Sequence, residues 1–384
     1  MREIDAILSR YNSLKSDGTE SVLATVVHVE GSSYRRAGAR MLVDAFGNIT
    51  GAISGGCLEG DALRKALNAL NQQENKLITY DTSNEDDVII GAQLGCNGII
   101  QVLFEPIDYE KHYNPCELLN IAAEQDKSLA IIIRFNLDKS KEQFGTTMLV
   151  TNDSTIIGND SPDDLKGLVL EHSVKAIKNN SPYFVEISTE DSEGNLFIQV
   201  YQPPIKLILV GAGNDAQILS QQAELLGWKV IVTDGRPTHA NKNRFTSSCQ
   251  VIVTKPEETL NNISLDDRSC VVLMSHNYNY DLAVLKLLIN QEEIPYIGIL
   301  GPVKKYNRML EDLKNEGFDL QKSFLNKIHA PVGLEIGAET PAEIGLSILS
   351  EIQAVLTGNN ARPLKEKDGP IHDKNDNQFK EARV

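Results

Sequence analysis

The sequence predicts an α/β protein of two domains: an N-terminal α+β domain with an internal repeat, and a C-terminal Rossmann-like domain with a parallel sheet. Three observations carry this reading. Residues 21–80 align without a gap with residues 128–187, so that Met41-Leu42-Val43 falls on Met148-Leu149-Val150. A Pro203-Pro204 pair closes the second copy. A strand, a Gly211-x-Gly213-x-x-Ala216 turn, an amphipathic helix and a second strand then follow in order. A chain of 384 residues is long enough for two or three such cores.

Each repeat opens on a run rich in β-branched residues, SVLATVVHV in the first copy and SLAIIIRFN in the second, which reads as a strand. Hairpin strands come next, with Gly38 and Gly51 of the first copy on Gly145 and Gly158 of the second. A helix-patterned segment begins near residue 62. KLITY then faces the apolar run at Phe184-Val185, and GIIQVLFEPI is echoed by NLFIQVYQPPI. The domain therefore spans residues 1–203, with repeats at about 21–110 and 128–203.

The copies diverge where chemistry would sit. GAISGGCLEGD puts Cys57 on the glycine-rich turn Ser54-Gly55-Gly56, ahead of a helix. Unpaired amides at a helix start favour an anion, and a thiol placed there is expected to ionise more easily than a free one. GSSYRRAGAR brings Arg35, Arg36 and Arg40 just upstream, and GAQLGCNG holds a second thiol, Cys96. In the second copy Arg35, Arg36 and Arg40 become Glu142, Gln143 and Thr147, Cys57 becomes Asp164, and the Cys96 loop is shortened. A free cysteine is more often a small buried apolar residue than a ligand. Thiols needed only for packing would, however, be needed in both copies. If the arginine segment is extended, Arg36 and Arg40 face one side and Arg35 the other.

In the second domain an apolar strand at 206–210 precedes the glycine turn, and the next strand ends on Asp234. Gly211 would allow the tight turn, Gly213 the close approach of a pyrophosphate, and Asp234 a bond to a ribose hydroxyl. Asp215 opposes this, because its charge sits where the phosphates would lie. A Rossmann fold that holds no nucleotide therefore stays open beside an NAD(P) site. Further strands are predicted at 250–254, 270–275 and 296–299. SHNYNYD sets His276 past a strand's carboxyl end, with Asp281 near enough to orient its ring. Thr340-Pro341-Ala342-Glu343 starts a final helix running to about residue 356. Residues 359–384 lack apolar periodicity and read as a disordered tail.

A net charge of -16 argues against nucleic acid and anionic membrane surfaces as partners. No apolar run approaches the roughly 20 residues of a spanning helix, and no signal-type core follows MREIDAILSR; the expectation is a soluble cytoplasmic protein. Five widely spaced cysteines, with neither CxxC nor HExxH, fit neither a disulfide framework nor a structural zinc site.

Together GSSYRRAGARM, GAISGGCLEGD, LGCNG, VGAGNDAQ, TDGRP, MSHNYNYD, GILGP and HAPVGLEIGAETPAEIGLSILSEI resemble the xanthine dehydrogenase accessory family, XdhC/CoxI, in its order from Gly31 to Ile352. The resemblance implies a chaperone that holds molybdenum cofactor, the molybdopterin, as cargo. It further implies a cysteine desulfurase partner that exchanges an oxo for a sulfido ligand, and a molybdenum hydroxylase client; a homodimer is open to such a chain. Cys57 and Cys96 would then bind or guard the molybdenum, the three arginines the phosphate, and His276 the pterin or a passing proton. The chain departs from the family pattern at Tyr34 and Ala37, where prolines are common, at Asn97, at Asn214-Asp215 and at Gly301-Pro302. The rival functions are an NAD(P)-dependent oxidoreductase using His276 and Asp234, and a sulfurtransferase with a persulfide on Cys57.

Overall fold

A computed structural model describes residues 2–31, 33–81, 98–188, 193–246, 248–368 and 379–383. It divides into two units, one of Arg2–Pro203 with Lys367–Val384 and one of Pro204–Glu366 with Met1.

The repeat is visible element by element. Helix α1 (Arg2–Asp17) precedes β1 (Ser21–Gly31), β2 (Arg40–Asp44), β3 (Ile49–Gly51), α2 (Glu59–Gln72), β4 (Lys76–Asp81) and β5 (Gly98–Pro106). Helix α3 (Pro115–Glu124) precedes the same series again: β6 (Leu129–Phe135), β7 (Gly145–Val150), β8 (Ile156–Gly158), α4 (Asp163–Asn179), β9 (Tyr183–Ser188) and β10 (Glu193–Tyr201). The sheets share one strand order, β3-β2-β1-β5-β4 and β8-β7-β6-β10-β9. Even the left-handed residues recur, Gln73 and Asn180 each ending the copy's helix with φ of 53° and 46°.

Strand alternation builds three cores from the two sheets. Leu23 and Val27 of β1 join Ile131 and Ile133 of β6 in a shared core that α1 and α3 also enter. Val22, Ala24 and Val26 face the other way, onto Ala62, Ala66 and Ala69 of α2. Ala130 and Ile132 likewise meet Leu165, Val169 and Ala176 of α4. Small residues on α2 let that helix lie close on its sheet, which fixes where its first turn emerges.

The second unit contains β11 (Lys206–Val210), α5 (Asn214–Leu225), β12 (Lys229–Asp234), β13 (Gln250–Val253), β14 (Ser269–Leu273), α6 (Tyr278–Leu288) and β15 (Tyr296–Ile299). It ends with α7 (Val303–Asn315), α8 (Lys322–Leu325), β16 (Ile328–His329) and α9 (Pro341–Thr357). All its strands run parallel in the order β13-β12-β11-β14-β15-β16. Strand order reverses between β11 and β14, so a crevice opens past their carboxyl ends.

The C-terminal tail corrects one expectation. Residues 379–383 form β17 (Phe379–Arg383), which adds to β9 in parallel register and extends the second repeat's sheet. Pairing to an exposed sheet edge needs no apolar pattern, because the backbone supplies the contacts. Among the described residues no helix is long and apolar enough to cross a membrane.

Candidate functional site

The turn before α2 is organised by Ser54. Its buried hydroxyl accepts from the amides of Gly56 and Leu58 at 3.2 and 3.1 Å and donates to Glu59. Glu59 in turn accepts from the Ser54 amide at 2.8 Å. The exchange does the work of a capping box, since Leu58, at the cap position, offers no side-chain acceptor. Burial pushes the Glu59 carboxyl up, and the bonds from Ser54 outweigh it, leaving it below the usual range. Gly55 and Gly56 stay exposed, and Gly56 takes a φ of 112° that other residues rarely adopt. Cys57 is partly exposed, leans on the α2-side core and donates its thiol hydrogen to Ser54 Oγ at 3.5 Å.

The arginine loop lies against this turn. Tyr34 stands over Gly55, where a Cβ would meet its ring carbons at 3.3 to 3.6 Å. Glu3 of α1 holds both loops: one carboxylate oxygen accepts from the Ala52 amide at 3.0 Å, the other from Arg35 Nη1 at 3.2 Å. Arg35 is half-buried with its Nε unpaired, and Arg36 is exposed.

Arg40 must be taken out of the group. It is only 2% exposed and bonds the Gly38 carbonyl at 3.0 Å, while its Nε and Nη2 are buried without partners. The alternation expected to pair it with Arg36 fails because residues 36–39 turn, the Ala39 amide bonding back to the Arg36 carbonyl. Arg40 instead begins β2 with its side chain in the protein interior. Burial pulls its guanidinium down to about 10, which leaves it protonated at neutral pH. Burial also pushes the nearby Glu105 carboxyl up to about 7, against opposing bonds from Thr146 and the field of Arg40. Cys96 lies outside the described residues.

In the second unit the crevice gathers Gly211, Gly213 and His276. Gly211 has a φ of 121°, and a Cβ there would come within 2.5 Å of Met274 O and Ser275 Cα; packing between strand ends alone demands glycine. Gly213 begins α5, and the His276 ring lies 3.8 Å from where its Cβ would be. His276 takes a left-handed φ of 58°, a strained conformation of the kind that clusters at functional sites. Its Nε2 faces Asp215 Oδ2 at 3.7 Å.

Two further expectations give way here. Asp281 does not orient the His276 ring; fully buried, it accepts from Ser275 Oγ and Lys305 Nζ, each at 2.6 Å, and so braces the backbone beside His276. Asp234 is not free for a ribose. It is buried, and its oxygens accept from the Ala212 amide and from Arg236 N, Nε and Nη2 at 2.7 to 2.9 Å. Burial raises that carboxyl, and those bonds more than offset it, so it stays below its ordinary value. Arg244 completes the closure by bonding Ala212 O at 2.8 Å and Asn214 Oδ1 at 3.0 Å.

Comparison with known proteins agrees with this architecture. Residues 207–352 match the model of the XdhC Rossmann domain, and residues 14–81 that of the XdhC and CoxI family. A protein of Bacillus subtilis (strain 168) described as a probable xanthine dehydrogenase subunit is 34% identical over 343 residues, 89% of this chain and 94% of that protein. The chain belongs to the XdhC/CoxI family. The molybdenum cofactor insertion chaperone PaoD of Escherichia coli (strain K12) is 22% identical over 341 residues, 88% of this chain and 84% of PaoD. A crystal structure described as a xanthine dehydrogenase from Bacillus halodurans superposes with a TM-score of 0.71 at 28% identity, covering 94% of this chain and 97% of that one.

Within this XdhC/CoxI chain, Glu3, Glu59, Arg236 and Lys305 shape the candidate sites and escaped the sequence reading. Arg236 was within reach, since an arginine two residues after a strand-end aspartate can fold back on it. Glu59 also left a trace, as an acid in the first turn of a helix whose cap position lacks a polar side chain. Glu3 left none, because its partners Arg35 and Ala52 are brought to it only by the fold.

Proposed function

We propose that this chain holds a molybdenum cofactor as cargo and delivers it to a molybdenum hydroxylase of the xanthine dehydrogenase type. One observation carries the reading: Glu3 ties Arg35 to the Ala52 amide just ahead of the glycine turn, and Ser54 of that turn holds the half-exposed Cys57 thiol, in the repeat copy that alone has the arginine and the thiol. The residues suit the group chemically. The exposed Arg36 and the half-buried Arg35 are cations suited to an anion such as the cofactor's phosphate, and Cys57 is a soft donor for molybdenum. The cofactor brings the metal and its dithiolene; this chain's part is to bind the phosphate end, keep the turn rigid and limit water access. Cys96 would supply a second thiol. The kinship with PaoD, an insertion chaperone by description, supports the same role.

A cysteine desulfurase would act on the held cofactor before transfer, and the cell's cytoplasm is where such partners meet. We place no NAD(P) in the Rossmann crevice, since Asp215 opposes phosphate and Arg236 occupies Asp234. Native mass spectrometry of the chain, made in cells that synthesise the cofactor, tests the proposal. A species heavier by one cofactor supports it; only the bare chain counts against it.

A further inference from the structure

We infer that Tyr34 is a stacking platform for the flat heterocycle of the ligand held at the thiol turn, a step that rests on reading that turn as a cofactor site. The ring is 70% exposed, among the most exposed large apolar side chains described. Single exposed aromatics are ordinary and need no function. This one differs in how it is seated. One side rests on Gly55, where a Cβ would press on three ring carbons at 3.3, 3.4 and 3.6 Å. The glycine thus lets the ring settle on the turn while leaving most of it open to solvent.

The repeat supplies a control. The positions equivalent to Tyr34, Gly55 and Cys57 are Lys141, Pro162 and Asp164, so ring, glycine and thiol are lost together. Lys141 forms a surface ion pair with Glu193, and its strands and helix fold in the same order. A ring at this place is therefore not required to pack the unit. The loop that carries it is also tied to this turn, since Glu3 bonds both Arg35, next in the chain, and the Ala52 amide ahead of the thiol turn.

The assembly then has three chemically distinct parts: a guanidinium for an anion, an aromatic face for a flat ring, and a soft thiol. A heteroaromatic carrying a phosphate and a metal-binding end meets all three, as the aminopyrimidinone end of a pterin would. Stacking on a protein ring is tolerant of substituents and is lost when the ring is removed.

The test uses the full chain and a metal-free phosphorylated pterin as probe, followed by the probe's own fluorescence. Tyr34→Leu keeps an apolar side chain but removes the face; it should weaken binding by about ten- to a hundredfold. Tyr34→Phe should bind like the unmodified chain. Tyr34→Trp should bind as well and lose indole emission as probe is added, a signature that a merely structural role would not produce. Binding by the unmodified chain that Tyr34→Leu matches, with no indole quenching in Tyr34→Trp, overturns the stacking role alone. Failure of the unmodified chain to bind the probe, when Cys57→Ser and Arg35→Ala fail equally, overturns the cofactor reading with it.

Discussion

At the scale of single residues, burial decides which of three neighbouring arginines is available to a ligand. Arg36 is exposed and Arg35 half-buried, so both keep surface, whereas Arg40 is sealed inside. Arg36→Ala should therefore weaken cofactor binding by roughly one to two orders of magnitude, the worth of one charge-assisted bond, and cost much less stability than the loss of a buried side chain. Arg40→Ala should do the reverse, costing about 2–4 kcal/mol of stability through an emptied site and a Glu105 deprived of its cation. Thermal unfolding beside a binding titration separates them. If Arg40→Ala keeps its stability and loses the ligand, Arg40 belongs to the binding site after all.

At the scale of elements, the two sheets are joined by a carboxyl that titrates near neutrality. Glu105 of β5 reaches Thr146 of β7, accepting from both its amide and its hydroxyl. Its folded value of about 7 stands above the ordinary carboxyl value of 4.5. Its contribution is thus complete below the ordinary value and is lost as pH rises through about 7. The N-terminal domain should lose about 1–3 kcal/mol between pH 5 and pH 8, and Glu105→Gln should flatten that slope. Denaturant titrations at the two pH values measure it; stability that rises over this range would mean that Arg40 keeps Glu105 ionised.

Elements also show what a sequence discloses. The repeat was legible because strand β3 and its copy β8, like β4 and β9, keep their spacing to the residue. The parallel sheet was legible because each apolar run ends in a turn of glycine or polar residues. The arginine loop misled, because alternation holds only for extended chain and residues 36–39 turn on a hydrogen bond that spacing does not reveal. Asp281 misled for a related reason: closeness in sequence to His276 says nothing of Lys305, which reaches it from the start of α7. The tail strand β17 was invisible because its partner, β9, supplies the order.

At the scale of the whole molecule, each of the two units has its own candidate site, and the two differ in how well their residues suit a ligand. The Rossmann crevice has the strand order and glycines of a nucleotide site, yet its acids are spent or adverse. NAD should bind weakly or not at all by calorimetry, and Asp215→Val should strengthen any binding seen. Tight binding that is indifferent to that change would refute the electrostatic argument. The thiol turn, by contrast, keeps its glycines and thiol at the surface, held by Glu3 and Ser54.

The central claim, that the thiol turn of the first repeat holds the cofactor, is tested most directly by cofactor content. The unmodified chain, Cys57→Ser and Cys249→Ser would be purified from cells that make the cofactor and assayed for bound pterin and molybdenum. Cys249 is the control, since its thiol is buried and faces Glu224 in the other unit. Cofactor is expected in the unmodified chain and in Cys249→Ser, with a large loss in Cys57→Ser while circular dichroism shows the fold intact. Equal cofactor content in all three proteins would contradict the claim.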